Sequence, residues 1–137
     1  MATITYTVTV ASGTNQYGTG NKFYINGTVS PALNLIEGNT YIFDQSDSSN
    51  ASGGGHILAF STSANNSPAA SYTTGVTTTG TPGTDGKTTI VVATYAPTLY
   101  YYCVNHSGMG NVAYTLAAGT IATTANFEAT FTIDEVI

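Results

Sequence analysis

Tyr100-Tyr101-Tyr102-Cys103-Val104-Asn105-His106-Ser107-Gly108-Met109-Gly110 reads as a strand that runs into a loop carrying three metal-ligand side chains. Cys103, His106 and Met109 follow a C-x2-H-x2-M spacing. A thiolate, an imidazole and a thioether are donor types that suit copper, and two imidazoles, a thiolate and a weak axial thioether make a blue-copper centre. The second imidazole has one source, because the chain's two histidines are His56 and His106. The single Cys and the one Met other than Met1 fall into the same set. Taken singly, each residue has an ordinary reading: Cys as a small buried hydrophobe, Met as filler, His as a satisfied core residue. Their sorting into one complete ligand set favours the metal.

Outward from this stretch the sequence is all-β in character. Thr, Tyr, Val and Ile dominate, and Gly, Asn and Ser punctuate at short intervals. Residues 3–10 alternate strictly, with Ile4, Tyr6, Val8 and Val10 on one face and Thr3, Thr5, Thr7 and Thr9 on the other. That predicts a half-buried strand. Residues 12–21 read as a polar loop and 22–26 as a short strand. Further strands are predicted over 33–37, 40–44, 56–61, 87–94, 98–103 and 111–117. Residues 45–55 read as a loop too polar to bury, leaving His56 at the edge of a strand. Residues 65–86 read as a long irregular excursion that covers a sheet edge or touches a neighbour. After a small-residue linker, 126–134 alternates again, with Phe127, Ala129, Phe131 and Ile133 on one face. This predicts one more strand, or an arm that pairs with another chain. The organisation expected is a sandwich over 1–118 and a linker with a C-terminal strand or arm over 119–137.

Composition removes several function classes. Charged residues are 7% of the chain, against roughly 25% in ordinary domains. Lys22 and Lys87 are the basic residues, there is no Arg, and net charge is −5. Nucleic-acid binding needs clustered Lys and Arg, and an anionic membrane surface needs the same; neither partner is expected. No apolar run approaches the ~18 residues of a membrane span, and residues 1–6 lack the basic and apolar regions of a signal peptide. Enzymatic catalysis is not expected, because both histidines are claimed by the metal site. Gly53-Gly54-Gly55 precedes a strand rather than a helix, so it is no phosphate cradle.

Leu33-x-Leu35-x-Glu37-Gly38-x-Thr40-Tyr41-x-Phe43, then His56, then the stretch from Tyr100 to Gly110, resembles the cupredoxins. The likeness covers roughly residues 20–118. It implies a Greek-key cupredoxin-like β-sandwich that binds copper. Carried over residue by residue, the equatorial ligands fall on His56, Cys103 and His106, and the axial ligand on Met109. Ile57 stands where many such domains have proline after the upstream histidine. Residues 44–50, 72–77, 80–83 and 96–103 are similar to segments of cupredoxin-like domains in structural proteins of marine tailed phages. This second likeness implies a virion protein, either a capsid decoration or a tail or fibre component. Such a protein would self-assemble as a homo-oligomer or bind other virion proteins, with Phe127, Phe131 and Ile133 at a subunit interface. The alternative is a soluble blue-copper electron carrier of the periplasm or the extracellular space. An exposed patch of Met109, Gly110 and Val112 would then serve for docking.

Overall fold

Alternating side chains set the layers. In the computed structural model, which describes residues 1–64 and 70–119, strand β1 (Thr3–Asn15) buries Ile4, Tyr6, Val8 and Val10 while its threonines face outward. A strand whose period-two pattern has one apolar face must bury that face against another layer. The remaining strands are β2 (Gly18–Ile25), β3 (Thr28–Val29), β4 (Leu33–Ile36), β5 (Thr40–Gln45), β6 (Leu58–Ser61), β7 (Ser71–Tyr72), β8 (Val76–Thr79), β9 (Gly86–Val91), β10 (Leu99–Cys103) and β11 (Asn111–Leu116). They form an all-β sandwich of two mixed sheets, ordered β3-β2-β1-β5-β9-β8 and β4-β11-β10-β6-β7. Each sheet contains one parallel pair, β1 with β5 and β4 with β11. The core fills the space between them, with Phe43 of the first sheet edge-on to Phe60 of the second at 5.6 Å and Tyr6 against Phe43 at 5.0 Å. Thr88 in β9 donates its hydroxyl across the gap to the carbonyl of Leu58 in β6, at 2.8 Å.

Three regions differ from expectation. Residues 12–21 are not a loop: β1 and β2 continue as a hairpin in register to Asn15 opposite Gly18. Both faces of that extension are polar and largely exposed, so no apolar face marked it. The excursion over 65–86 contains β8, which pairs with β9 and so occupies the edge of the six-stranded sheet; residues 65–69 lie outside the described residues. The segment 45–55 is mostly exposed, as expected, but two of its amide side chains are buried. Gln45 closes β5 at 1% exposure, and Asn50, in the 3-10 turn Ser48–Gly54, is fully buried. The expected strand or arm at 126–134, with Phe127, Phe131 and Ile133, lies outside the described residues.

The poles of the sandwich are distinct. Cys103 ends β10 opposite Leu58 at the start of β6, and Gln45 ends β5 at the same pole. At the other pole the chain's first residues meet β5, where Ala2 accepts from the amide of Thr40 at 2.9 Å. Leu116, at the end of β11, accepts there from the amide of Glu37 at 2.8 Å.

Phe43 is completely buried and bridges the two layers. Phe43→Ala should lower unfolding free energy by about 3–5 kcal/mol, measured by urea denaturation. A loss below about 1 kcal/mol would contradict its place in the core.

Candidate metal centre

Antiparallel pairing of β6 with β10 places Leu58 beside Cys103. The residue two positions before Leu58, His56, therefore reaches the same pole as the Cys103 thiol. The amide of Val104 donates to the carbonyl of Ile57 at 3.1 Å, extending the pairing past the thiol. The loop after β10 then turns His106 back toward it. His56 Nδ1 lies 3.5 Å from Cys103 Sγ, and His106 Nδ1 lies 3.6 Å from it. The two rings sit 4.5 Å apart. One donor atom from each of the three residues lies within 4.8 Å of the others. His56 and Cys103 are buried and His106 is half-buried.

These separations fit a bound ion. With metal–nitrogen bonds near 2.0–2.1 Å and a metal–sulfur bond near 2.3 Å, angles between tetrahedral and trigonal put N and S about 3.6–3.8 Å apart. The three residues could therefore hold a metal ion with little movement. Met109 is buried, at 1% exposure, three residues beyond His106. Its carbonyl accepts from the Phe23 amide at 3.1 Å and the Ser30 hydroxyl at 3.0 Å, which anchors the loop there.

His56 is held by its backbone. Its amide donates to the Asn50 carbonyl at 2.8 Å, and its carbonyl accepts from Gln45 Nε2 at 2.8 Å. Gln45 Nε2 also donates to Asn50 Oδ1 at 2.9 Å, and Gln45 Oε1 accepts from the Leu58 amide at 2.9 Å. Asn50 Nδ2 donates to the carbonyls of Val8, at 2.8 Å, and Asp47, at 3.1 Å. This is why Gln45 and Asn50 can bury: buried amides are tolerated when their donors and acceptors are paired. Asp47 starts the 3-10 turn, its carboxylate accepting from the Ser49 amide at 2.9 Å. The Ser49 hydroxyl, donating to the same carboxylate at 2.6 Å, and secondarily the Ser49 amide hold the Asp47 carboxyl below its usual range. Gly53, Gly54 and Gly55 all have positive φ, at 55°, 89° and 97°. That left-handed path brings the chain from the turn back to His56, and glycine follows it without a Cβ penalty.

The outer ring nitrogen of His56 has a partner that sequence reading did not identify. Ser52 Oγ lies 3.3 Å from His56 Nε2, while Asn105 Nδ2 donates to the Gly55 carbonyl at 3.0 Å. With Nδ1 turned to the thiol, an Nε2–H donating to Ser52 fixes the tautomer a metal requires. Gly53 lies over both rings: a Cβ there would stand 3.7 Å from His56 Nε2 and 3.8 Å from His106 Nε2. The expected docking patch is not exposed as a unit, because Met109 and Gly110 are buried and Val112 is half-buried. Val104, at 39% exposure, is the apolar side chain that faces solvent in this loop. Tyr101 is a core residue donating to the Pro31 carbonyl at 2.6 Å. Tyr102 is also buried.

Burial, and secondarily the neighbouring His106, lower the pKa of His56. Below the ordinary imidazole value the unfolded chain then binds the proton more readily than the fold does. The metal-free protein should therefore lose stability as pH falls below about 6.5 toward the lower folded value of His56. Thermal unfolding midpoints between about pH 8 and pH 5 check this, with His56→Gln expected to show a shallower slope. Equal slopes in the two proteins would contradict it. In comparisons with known proteins, no family model and no curated protein matches this chain.

Proposed function

We propose that the domain would hold copper on His56, Cys103 and His106, with the Met109 thioether as a weaker fourth donor, as a cupredoxin-like one-electron centre. The observation that carries this reading is the pair of nitrogen–sulfur separations, 3.5 and 3.6 Å, around a buried thiol. Copper bound there would supply one-electron transfer. His56 and His106 would present neutral Nδ1 atoms and Cys103 a thiolate, the donor set that selects copper over harder ions. The lowered pKa of His56 favours the neutral ring that ligation needs. The Gln45–Asn50 pairing would hold His56 in the same place in both oxidation states. His106, half-buried beside exposed Val104 and Asn105, would be the edge through which electrons enter and leave.

The likeness to phage structural domains favours a second reading that is compatible with the first. In it the sandwich is a rigid module of a virion, and the apolar face of 126–134 is the assembly surface.

Adding copper(II) to the purified protein should produce an intense thiolate-to-copper absorption band in the visible region. Cys103→Ser should abolish it. A protein that stays colourless while binding zinc tightly would replace the redox reading with a structural zinc clip. The virion reading makes a separate claim. Deleting 120–137 should leave the β circular-dichroism signal intact and abolish self-association in light scattering. A truncated protein that assembles as the full chain does would remove that reading.

A further inference from the structure

The loop that carries Met109 is fastened from outside. Its three carbonyls from Gly108 to Gly110 accept from the β1–β2 hairpin and the turns beside it. The Gly108 carbonyl takes Lys22 Nζ at 2.7 Å and Asn15 Nδ2 at 2.9 Å. The Met109 carbonyl takes the Phe23 amide and the Ser30 hydroxyl at 3.1 and 3.0 Å. The Gly110 carbonyl takes Gln16 Nε2 at 3.3 Å. Both lone pairs of the Gly108 and Met109 carbonyls are thereby used.

Among these donors Lys22 stands apart. It is one of two basic residues in the chain, yet it is 3% exposed. Among the described residues no carboxylate pairs with it, and burial lowers its pKa. A buried charge without a counter-ion is costly, and a neutral donor would fasten the loop equally well, as Asn15 does. A carbonyl dipole offsets part of a unit charge. The Cys103 thiolate of the loaded centre would bring a negative charge to the same pole, where the loop held by Lys22 follows His106.

We propose that Lys22 is a positioning residue of the metal centre: it fixes the loop before Met109 through Gly108, and its positive charge favours the reduced, less positive state of the bound copper. This rests on the copper reading above. A unit charge at ~10 Å through an effective dielectric of ~20 shifts a one-electron equilibrium on the order of tenfold. Being buried, it is screened little by salt.

The test compares copper-loaded wild type, Lys22→Met, Lys22→Gln and Lys22→Arg, equilibrated with an iron-complex redox couple of fixed composition. One electron passes from the reduced iron complex to copper(II), giving copper(I) and the oxidised complex, and loss of the visible band reads the ratio. Lys22→Met and Lys22→Gln should both shift the copper(I) to copper(II) ratio toward copper(II) by on the order of tenfold, about 59 mV for one electron. Lys22→Arg should stay near wild type. Lys22→Gln keeps a donor for Gly108 and removes the charge; a wild-type ratio in that variant overturns the proposal, whatever Lys22→Met does. Should Lys22→Met fail to fold, the Gln and Arg variants carry the test. A wild-type protein without the thiolate-to-copper band overturns the copper reading and this proposal together. A band with unshifted variants overturns this proposal alone.

Discussion

The paired amides of Gln45 and Asn50 hold this structure's functional pole together. Gln45 ends a strand of one sheet, yet its side chain satisfies the His56 carbonyl and the Leu58 amide, which lead into the other sheet. Asn50 reaches from the 3-10 turn to Val8 in β1. Two side chains thus tie β1, β5, the turn and β6 into one unit. Neither can be replaced by an apolar residue of similar size without stranding several buried backbone groups, each worth about 1–3 kcal/mol when left unpaired. The histidine that a metal would use is consequently placed by the fold before any metal arrives.

A site placed this way has a specific character. His56 is buried and its imidazole resists protonation, while Ser52 occupies the outward nitrogen. The thiol sits at the end of a strand whose inward residues belong to the core. The loop through Gly108 and Met109 is fastened by Asn15, Lys22 and Ser30 side chains and by the Phe23 amide. Strand pairing positions two donors, and side-chain hydrogen bonds position the rest. Gly110 shows how tight that second arrangement is, because a Cβ there would run into the Tyr101 carbonyl.

How much of this was legible in the sequence followed from the reach of each interaction. The ligand residues stood out because Cys and His are scarce here and their spacing is local. The strands stood out because alternation is local too, as in β1. The hairpin over 12–21 escaped because both of its faces are polar, which removes the pattern while leaving the backbone pairing intact. Within the otherwise exposed 45–55, the burial of Gln45 and Asn50 was not legible, because amide side chains look like surface until their partners are known. Those partners lie up to 42 residues away. Lys22 was hidden for the same reason, its partner being 86 residues distant. The glycine run before His56 was the local clue to the turn, since consecutive glycines mark a path other residues resist.

The contacts of Ala2 with Thr40 and of Leu116 with Glu37 give the molecule a direction. The chain enters the sandwich and leaves β11 at one pole, and the donor cluster occupies the other. At about 3.3 Å per strand residue, the two are separated by roughly 20 Å along β10 and β11. A surface that holds the domain by its first residues is thereby kept at arm's length from the thiol and imidazoles. Tethered in that way, the domain would present its donor-bearing face outward, like a lamp on a bracket.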